Sequence, residues 1–278
     1  MLGSMQIKRI LKRNSRVVSA HRKYLSVLRN FRLLGVMPLN VNYLALIPRY
    51  FRERKTFLGK GGVISHFFPI LSEYGDSAGS ASGHYFHQDL LVSQFIFQKN
   101  PTRHIDIGSR IDGFVAHVAA FRKIEIFDIR ELPSSNHANI EYRQADLMLN
   151  AGYEVTDSLS CLHTIEHFGL GRYGDPLDPR GYLEGFKNLI AMLKPGGVLY
   201  ISFPIGMKNE VHFNAHRVFH PKDIFSWVPN ELDFLRFDYV DDNGDLHKDF
   251  DLQTSDLFIT YGCGIYTFRK RLLASKVY

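Results

Sequence analysis

The run His163-Thr164-Ile165-Glu166-His167 puts two imidazoles and a carboxylate within five residues. An imidazole titrates near neutral pH, so it can take a proton from a hydroxyl while a carboxylate orients it. His-x-x-Glu-His on a helix is also the inverted zinc-protease pattern, in which both histidines bind the metal and the glutamate acts as base. His212, His216 and His220 follow at four-residue steps and offer a further imidazole for either use. A purely structural role, hydrogen-bonded in the core or solvated, is the third reading of each histidine. The candidate catalytic residues are therefore His163, Glu166, His167 and His216. His212 and Arg217 are candidates for the acceptor side, where Arg217 suits a phosphate or carboxylate or an ordinary salt bridge. The sequence alone assigns no metal-ligand set.

A second group of residues points to a nucleotide-like ligand. Asp106, Asp128 and Asp146 each close an apolar run, and Asp106 and Asp128 stand 22 residues apart. In an open parallel sheet, ligands bind beyond the carboxyl ends of the strands, where strand order reverses. Gly108 lets the backbone turn sharply after the first run, and the following helix aims its amides at the same place. Asp128 then suits the ribose hydroxyls of an adenosine-containing cofactor, and Asp146 its adenine amino group.

The elements that must carry these residues follow from the apolar pattern. Strands are expected at residues 103–107, 123–128, 140–146, 156–162 and 198–203, with helices at 84–97, 113–121 and 181–193. Two late strands, near 233–240 and 258–269, flank the turn signal Asn243-Gly244. Alternating strands and helices predict an α/β fold, a Rossmann-like doubly wound and mostly parallel sheet with a C-terminal antiparallel strand pair. Small residues from Gly75 to Gly83 predict a loop. The expected division is 1–74 as a basic helical arm and docking segment, 75–99 as loop and lead-in helix, and 100–278 as the α/β domain.

Asp106-Ile107-Gly108-Ser109, Asp128, Asp146 and Leu193-Lys194-Pro195-Gly196-Gly197-Val198-Leu199 resemble the motifs of class I S-adenosylmethionine-dependent methyltransferases, over about residues 85–240. The runs Arg103 to Ala116 and His163 to Asp175 further resemble a small methyltransferase-like family first catalogued from nematodes and also present in bacteria, which carries no established substrate. The resemblance implies S-adenosylmethionine as cofactor, held by Asp106, Gly108, Ser109, Arg110, Asp128, Asp146 and Leu147. Asp106 would orient the methionine amino group, Asp128 the ribose, and Asp146 with the Leu147 amide the adenine. Arg110 stands where the superfamily has a second glycine, and its side chain either points away, pairs with the cofactor carboxylate, or blocks the site.

Charge narrows the partners. Residues 1–60 hold 14 Lys or Arg against one acid, Glu53, and the remainder carries a net charge of −7. The body is mildly acidic and no Asn-Pro-Pro-Tyr run follows the fourth strand, so nucleic acid is not expected as substrate. A small-molecule or glycan-precursor acceptor, with a sugar hydroxyl as one instance, is expected instead. Residues 5–34 show helical apolar spacing with a basic face. They fit a peripheral membrane contact, docking on the chain's own domain, or a homodimer contact. Two cysteines make no disulfide framework, which favours the cytoplasm, at the inner face of a membrane if the arm binds lipid. Competing readings are a non-catalytic binding or regulatory protein on the same fold, a metal-dependent hydrolase using residues 163–167, a methyltransferase with an acceptor-orienting metal, and a nicotinamide oxidoreductase. The last lacks the full Gly-x-Gly-x-x-Gly series.

Overall fold

The computed structural model describes residues 41–75, 78–133, 135–149, 152–227 and 230–272. The basic helix expected over residues 5–34 lies outside them. The chain forms two compact units divided between Gly79 and Ser80. In the first, a 3-10 turn, Val41–Leu46, leads into helix α1, Ile47–Gly59, with Pro48 in its first turn. Glu53 accepts from Arg49 Nε at 2.7 Å and from Tyr74 Oη at 2.6 Å, tying α1 to the turn that follows. No helix among the described residues is long and apolar enough to cross a membrane.

The second unit opens with α2, His84–Lys99. Strands β1 (His104–Ile107), β2 (Ile124–Asp128), β3 (Ile140–Gln144), β4 (Thr156–Leu162) and β5 (Leu193–Ile205) follow. A π-helical turn, Ile111–Val115, and the short helix α3, Ala116–Ala119, connect β1 to β2, and α4, Gly181–Met192, precedes β5. A small hairpin of β6 (Glu210–His212) and β7 (His216–Val218) comes next, then α5 (Ile224–Trp227), β8 (Leu232–Val240), β9 (Leu246–His247) and β10 (Gly262–Lys270).

The main sheet has the order β3-β2-β1-β4-β5-β10-β8-β9. Pairs among β1 to β5 are parallel, and β10 runs antiparallel to both β5 and β8. This is the Rossmann-like doubly wound sheet with antiparallel C-terminal strands that the sequence predicts. The order reverses between β1 and β4, which places the ligand crevice of such a sheet beyond Ile107 and Leu162.

Side-chain alternation sorts the core onto two faces. Leu199, Ile201 and Phe203 of β5 join Phe127, Tyr266 and the α4 residues Phe186 and Leu189 on one face. Tyr200 of β5, Ile126, Cys263 and Ile265 meet Leu91, Val92 and Ile96 of α2 on the other.

Three local expectations shift. The predicted helix at 113–121 opens as a π-helical turn, because the chain must first clear the β1 turn. β3 ends at Gln144, leaving Asp146 in the loop beyond it. The Lys194 to Gly197 turn is looped out within β5. Leu193 already pairs with Thr156 and the ladder resumes at Val198 opposite Ser158, with Gly196 at φ +80° making the detour.

Candidate active site

The turn after β1 is built around a buried carboxylate. Asp106, fully buried, accepts from Ser109 N–H at 3.1 Å, Ser109 Oγ at 2.7 Å and Ser160 Oγ at 2.5 Å. The β1–β4 register sets Asp106 opposite Ser160 and His104 opposite Ser158. His104 spans the two serines, 2.8 Å from Ser158 Oγ and 3.1 Å from Ser160 Oγ, and burial pushes its pKa to about 3. Burial pushes Asp106 up to about 7 despite the three donors. Gly108 sits at φ +65°, and a Cβ there would stand 2.5 Å from Thr164 Cγ2. Glycine is therefore required twice, by conformation and by space.

Asp128 ends β2 as expected, but its carboxylate is engaged. Arg130 Nε and Nη2 donate to its two oxygens at 3.0 and 2.6 Å, and the Arg130 amide adds a bond of 2.8 Å. The guanidinium also lies 4.4 Å from the centre of the Tyr173 ring. Asp146 accepts from the Met148 amide at 2.9 Å, fixing its own turn. Asn188 of α4 donates to Leu147 O and Leu149 O at 2.9 and 2.8 Å, holding the same loop from behind. Between these turns lies a narrow cavity of about 60 Å³ lined by Phe127, Ile129, Leu147, Met148 and Phe168 with Asp128 and Asp146. Arg110 turns from the β1 loop to pair with Asp112 at 3.1–3.2 Å, with its guanidinium 4.9 Å from the Tyr85 ring.

Gly108, Asp128, Arg130, His163, His167 and Tyr173 also border a larger chamber of about 600 Å³. Its other walls include His84, Tyr85, Arg172, His216 and Tyr261. His163 follows β4 at φ +49°, an unusual conformation for a non-glycine residue and one found at functional sites. Its Nδ1 lies 2.9 Å from Glu166 Oε1, whereas its buried Nε2 has no hydrogen-bond partner. Burial opposes a charge on His163, but Cys263 and Glu166 outweigh it and raise its pKa well above the ordinary value. His167 donates from Nδ1 to Ala215 O at 2.7 Å, and burial lowers its pKa. His216 reaches Tyr261 Oη at 3.4 Å and is likewise lowered by burial.

Two acceptor-side candidates lie elsewhere. Arg217, buried, spends its guanidinium on the carbonyls of Glu166, Phe168, Asp178 and Pro179 at 2.6–3.4 Å. It braces the loop after β4 instead of facing the chamber. His212 is half-exposed and bonds to Glu210 at 2.9 Å. The protease-like reading of residues 163–167 is corrected too. They form a 3-10 turn, Ile165–His167, instead of a helix, because His163 is left-handed and Gly169 and Gly171, at φ +75° and +70°, end the turn. His212 and His216 face each other across the β6–β7 hairpin, so their four-residue spacing is a hairpin register and not a helix face.

His84, Tyr85, Arg130, Tyr173, Tyr261 and Cys263 were not singled out by the sequence. Gly83 marks His84 as a helix start, since its φ of +93° and its amide bond to Gly244 O at 2.9 Å fix the chain there. Nothing local to Tyr261 or Cys263 signals their place.

A family model described as "Caenorhabditis protein of unknown function, DUF268" matches residues 139–257, in accord with the nematode resemblance. No curated protein matches the chain. Among solved structures, the 1,6-didemethyltoxoflavin N1-methyltransferase of Burkholderia thailandensis, with S-adenosylhomocysteine bound, is 13% identical, with 85% of this chain and 92% of that one covered and a TM-score of 0.49. The N-methyltransferase NodS of Bradyrhizobium japonicum, also with S-adenosylhomocysteine, is 12% identical over 68% and 88% of the two chains, with a TM-score of 0.45. The [4+2]-cyclase SpnF is 13% identical over 78% and 93%, with a TM-score of 0.49.

Proposed function

We propose that the protein is an S-adenosylmethionine-dependent methyltransferase acting on a small-molecule or glycan-precursor acceptor, with a sugar hydroxyl as the preferred group. The observation that carries this reading is the joined cleft at the β1/β4 switch point. A narrow apolar slot between the turns bearing Asp128 and Asp146 shares six lining residues with an adjacent chamber walled by histidines and tyrosines. The slot has the apolar lining of an adenine site but, at about 60 Å³, must widen to admit the ring. Asp128 suits the ribose once Arg130 shares or yields its carboxylate, and the Gly108 turn the methionine part. When bound, S-adenosylmethionine would supply an electrophilic sulfonium methyl group for an acceptor oxygen, with the electron pair of the broken carbon–sulfur bond left on sulfur. His167 and His216, kept neutral by burial, are placed to take the hydroxyl proton. Tyr85, Tyr173 and Tyr261 offer rings and hydroxyls to an acceptor that is itself half apolar and half polar.

The direction of Arg110, toward Asp112 and Tyr85, favours this over the non-catalytic reading, which needs that side chain to obstruct the turn. We further propose that the basic, amphipathic stretch 5–34 serves as a docking element, either on protein (the chain's own domain or a second copy) or on an anionic membrane surface. Loss of sedimentation with anionic liposomes when it is removed would assign it to the membrane, and equal sedimentation of both forms would reject that surface. The cofactor reading is tested by calorimetric titration of S-adenosylhomocysteine into the wild type, Asp128→Ala and Asp146→Ala. The expected result is binding to the wild type, weakened about 10-fold or more in each variant, or about 1.4 kcal/mol. No binding to the folded wild type at millimolar ligand would overturn it.

A further inference from the structure

We propose that His84, His163 and Cys263 bind a zinc ion beside the acceptor chamber. One ligand atom from each of the three lies within 4.8 Å of the others. Zinc bonds of about 2.0–2.3 Å set tetrahedral ligand atoms about 3.5 Å apart, so closing on an ion takes about 1 Å of side-chain movement. Two imidazoles and a thiol form a borderline-soft donor set, which suits zinc and not magnesium or calcium. Three protein ligands leave a fourth position for water or a substrate oxygen.

The surroundings of the cluster fit this use. Metal-binding histidines commonly give their second ring N–H to a carboxylate, which fixes the ring and leaves the other nitrogen free. His163 has that arrangement once Nε2 yields its proton to the ion, with Nδ1 on Glu166 Oε1 and Nε2 buried without a hydrogen-bond partner. Such an atom costs free energy unless a ligand satisfies it. The His84 and His163 ring centroids lie 5.4 Å apart with planes 10° apart. Because imidazole nitrogens bind in the ring plane, sharing one ion needs both rings to turn a nitrogen toward a common point. Cys263 is the second residue of β10, paired opposite Pro204 on one side and Val240 on the other. Gln88, one turn beyond His84, accepts through Oε1 from Ser202 Oγ at 2.6 Å and from the Cys263 thiol at 3.6 Å, a thiol proton that zinc binding would release. All three ligands thus project from fixed elements of the second unit.

The ion's role rests on the methyl-transfer reading. A hydroxyl oxygen in the fourth position becomes more acidic, in the chamber that His167 and His216 also line. Zinc binding itself does not depend on that reading. The test is metal analysis of the full chain after loading with zinc and desalting, with the absorption spectrum of the cobalt-substituted form. The expected result is one zinc per chain, a thiolate-to-cobalt charge-transfer band in the wild type, and loss of both in Cys263→Ser and His84→Gln. Glu166→Gln should weaken zinc about 10- to 100-fold. Near-ultraviolet circular dichroism checks folding; if Cys263→Ser fails to fold, His84→Gln at the chamber wall decides. Absence of stoichiometric zinc and of the cobalt band in the wild type, or full zinc in either folded variant, would overturn the proposal. S-adenosylhomocysteine titration with and without chelator is read separately, so failure of the zinc site and failure of the cofactor site give different results.

Discussion

The turns after β1, β2 and β3 and the histidine chamber share one cleft but are built differently. Asp106 lies one residue before the end of β1, Asp128 at the end of β2 and Asp146 just beyond β3. Each bonds to a partner two or three residues away, Ser109, Arg130 or Met148, and Asp106 alone adds a bond from Ser160 across the sheet. The chamber draws His84, His163, His216 and Tyr261 from four separated segments and leaves His163 Nε2 and Glu166 Oε2 buried without partners. Locally satisfied turns serve as a fixed socket for a ligand of constant shape. A chamber with unspent polar atoms stores binding capacity for an acceptor or an ion, at some cost to stability.

If the two regions are separable in this way, the largest effect comes from Glu166→Gln. Transfer to an acceptor should fall about 10³-fold, equivalent to about 4 kcal/mol, while S-adenosylhomocysteine affinity stays within about twofold. Parallel loss of both, by rate assay and calorimetry, would show that the regions are one energetic unit.

The socket has its own signature in pH. The folded state holds the Asp106 proton up to about pH 7, whereas the unfolded chain releases it near 3.8. The unfolded state therefore binds fewer protons across that window. Stability should fall as pH rises from about 4 to about 7, by on the order of a few kcal/mol, and level off above. Thermal melts of the ligand-free protein should show this slope, and Asp106→Asn should flatten it. An identical slope in the variant would place the titration elsewhere.

Gly108→Ala should cost about 2 kcal/mol by chemical denaturation, because it adds both a left-handed β-carbon and a clash with Thr164. A cost no larger than that of a surface alanine would mean that the turn relaxes freely. The smallest effect is expected from Arg130→Ala. Freeing the Asp128 carboxylate should change S-adenosylhomocysteine affinity only severalfold, and upward, since the pair is half-exposed and screened. A severalfold loss would make Arg130 part of the ligand's own contacts.

The residues that bear the socket could be read in the chain because their chemistry is local. A strand end, a glycine turn and an acid 22 residues later are spacings along the backbone, and short apolar runs set the strands that carry them. His163, Glu166, His167 and His216 were also visible by residue type and reach the chamber, whereas Arg217 did not follow its type. Four backbone carbonyls around a buried guanidinium cannot be foreseen from Arg217 and its neighbours. The His84, His163 and Cys263 cluster escaped for the same reason. These residues span almost 180 positions of chain and meet only because β10 inserts antiparallel beside β5 and α2 packs on the same face. Hydrophobic period and turn chemistry are short-range properties that the sequence determined by itself. Which distant side chains share a cavity depended on the order of strands in the sheet, and only the tertiary structure decided that.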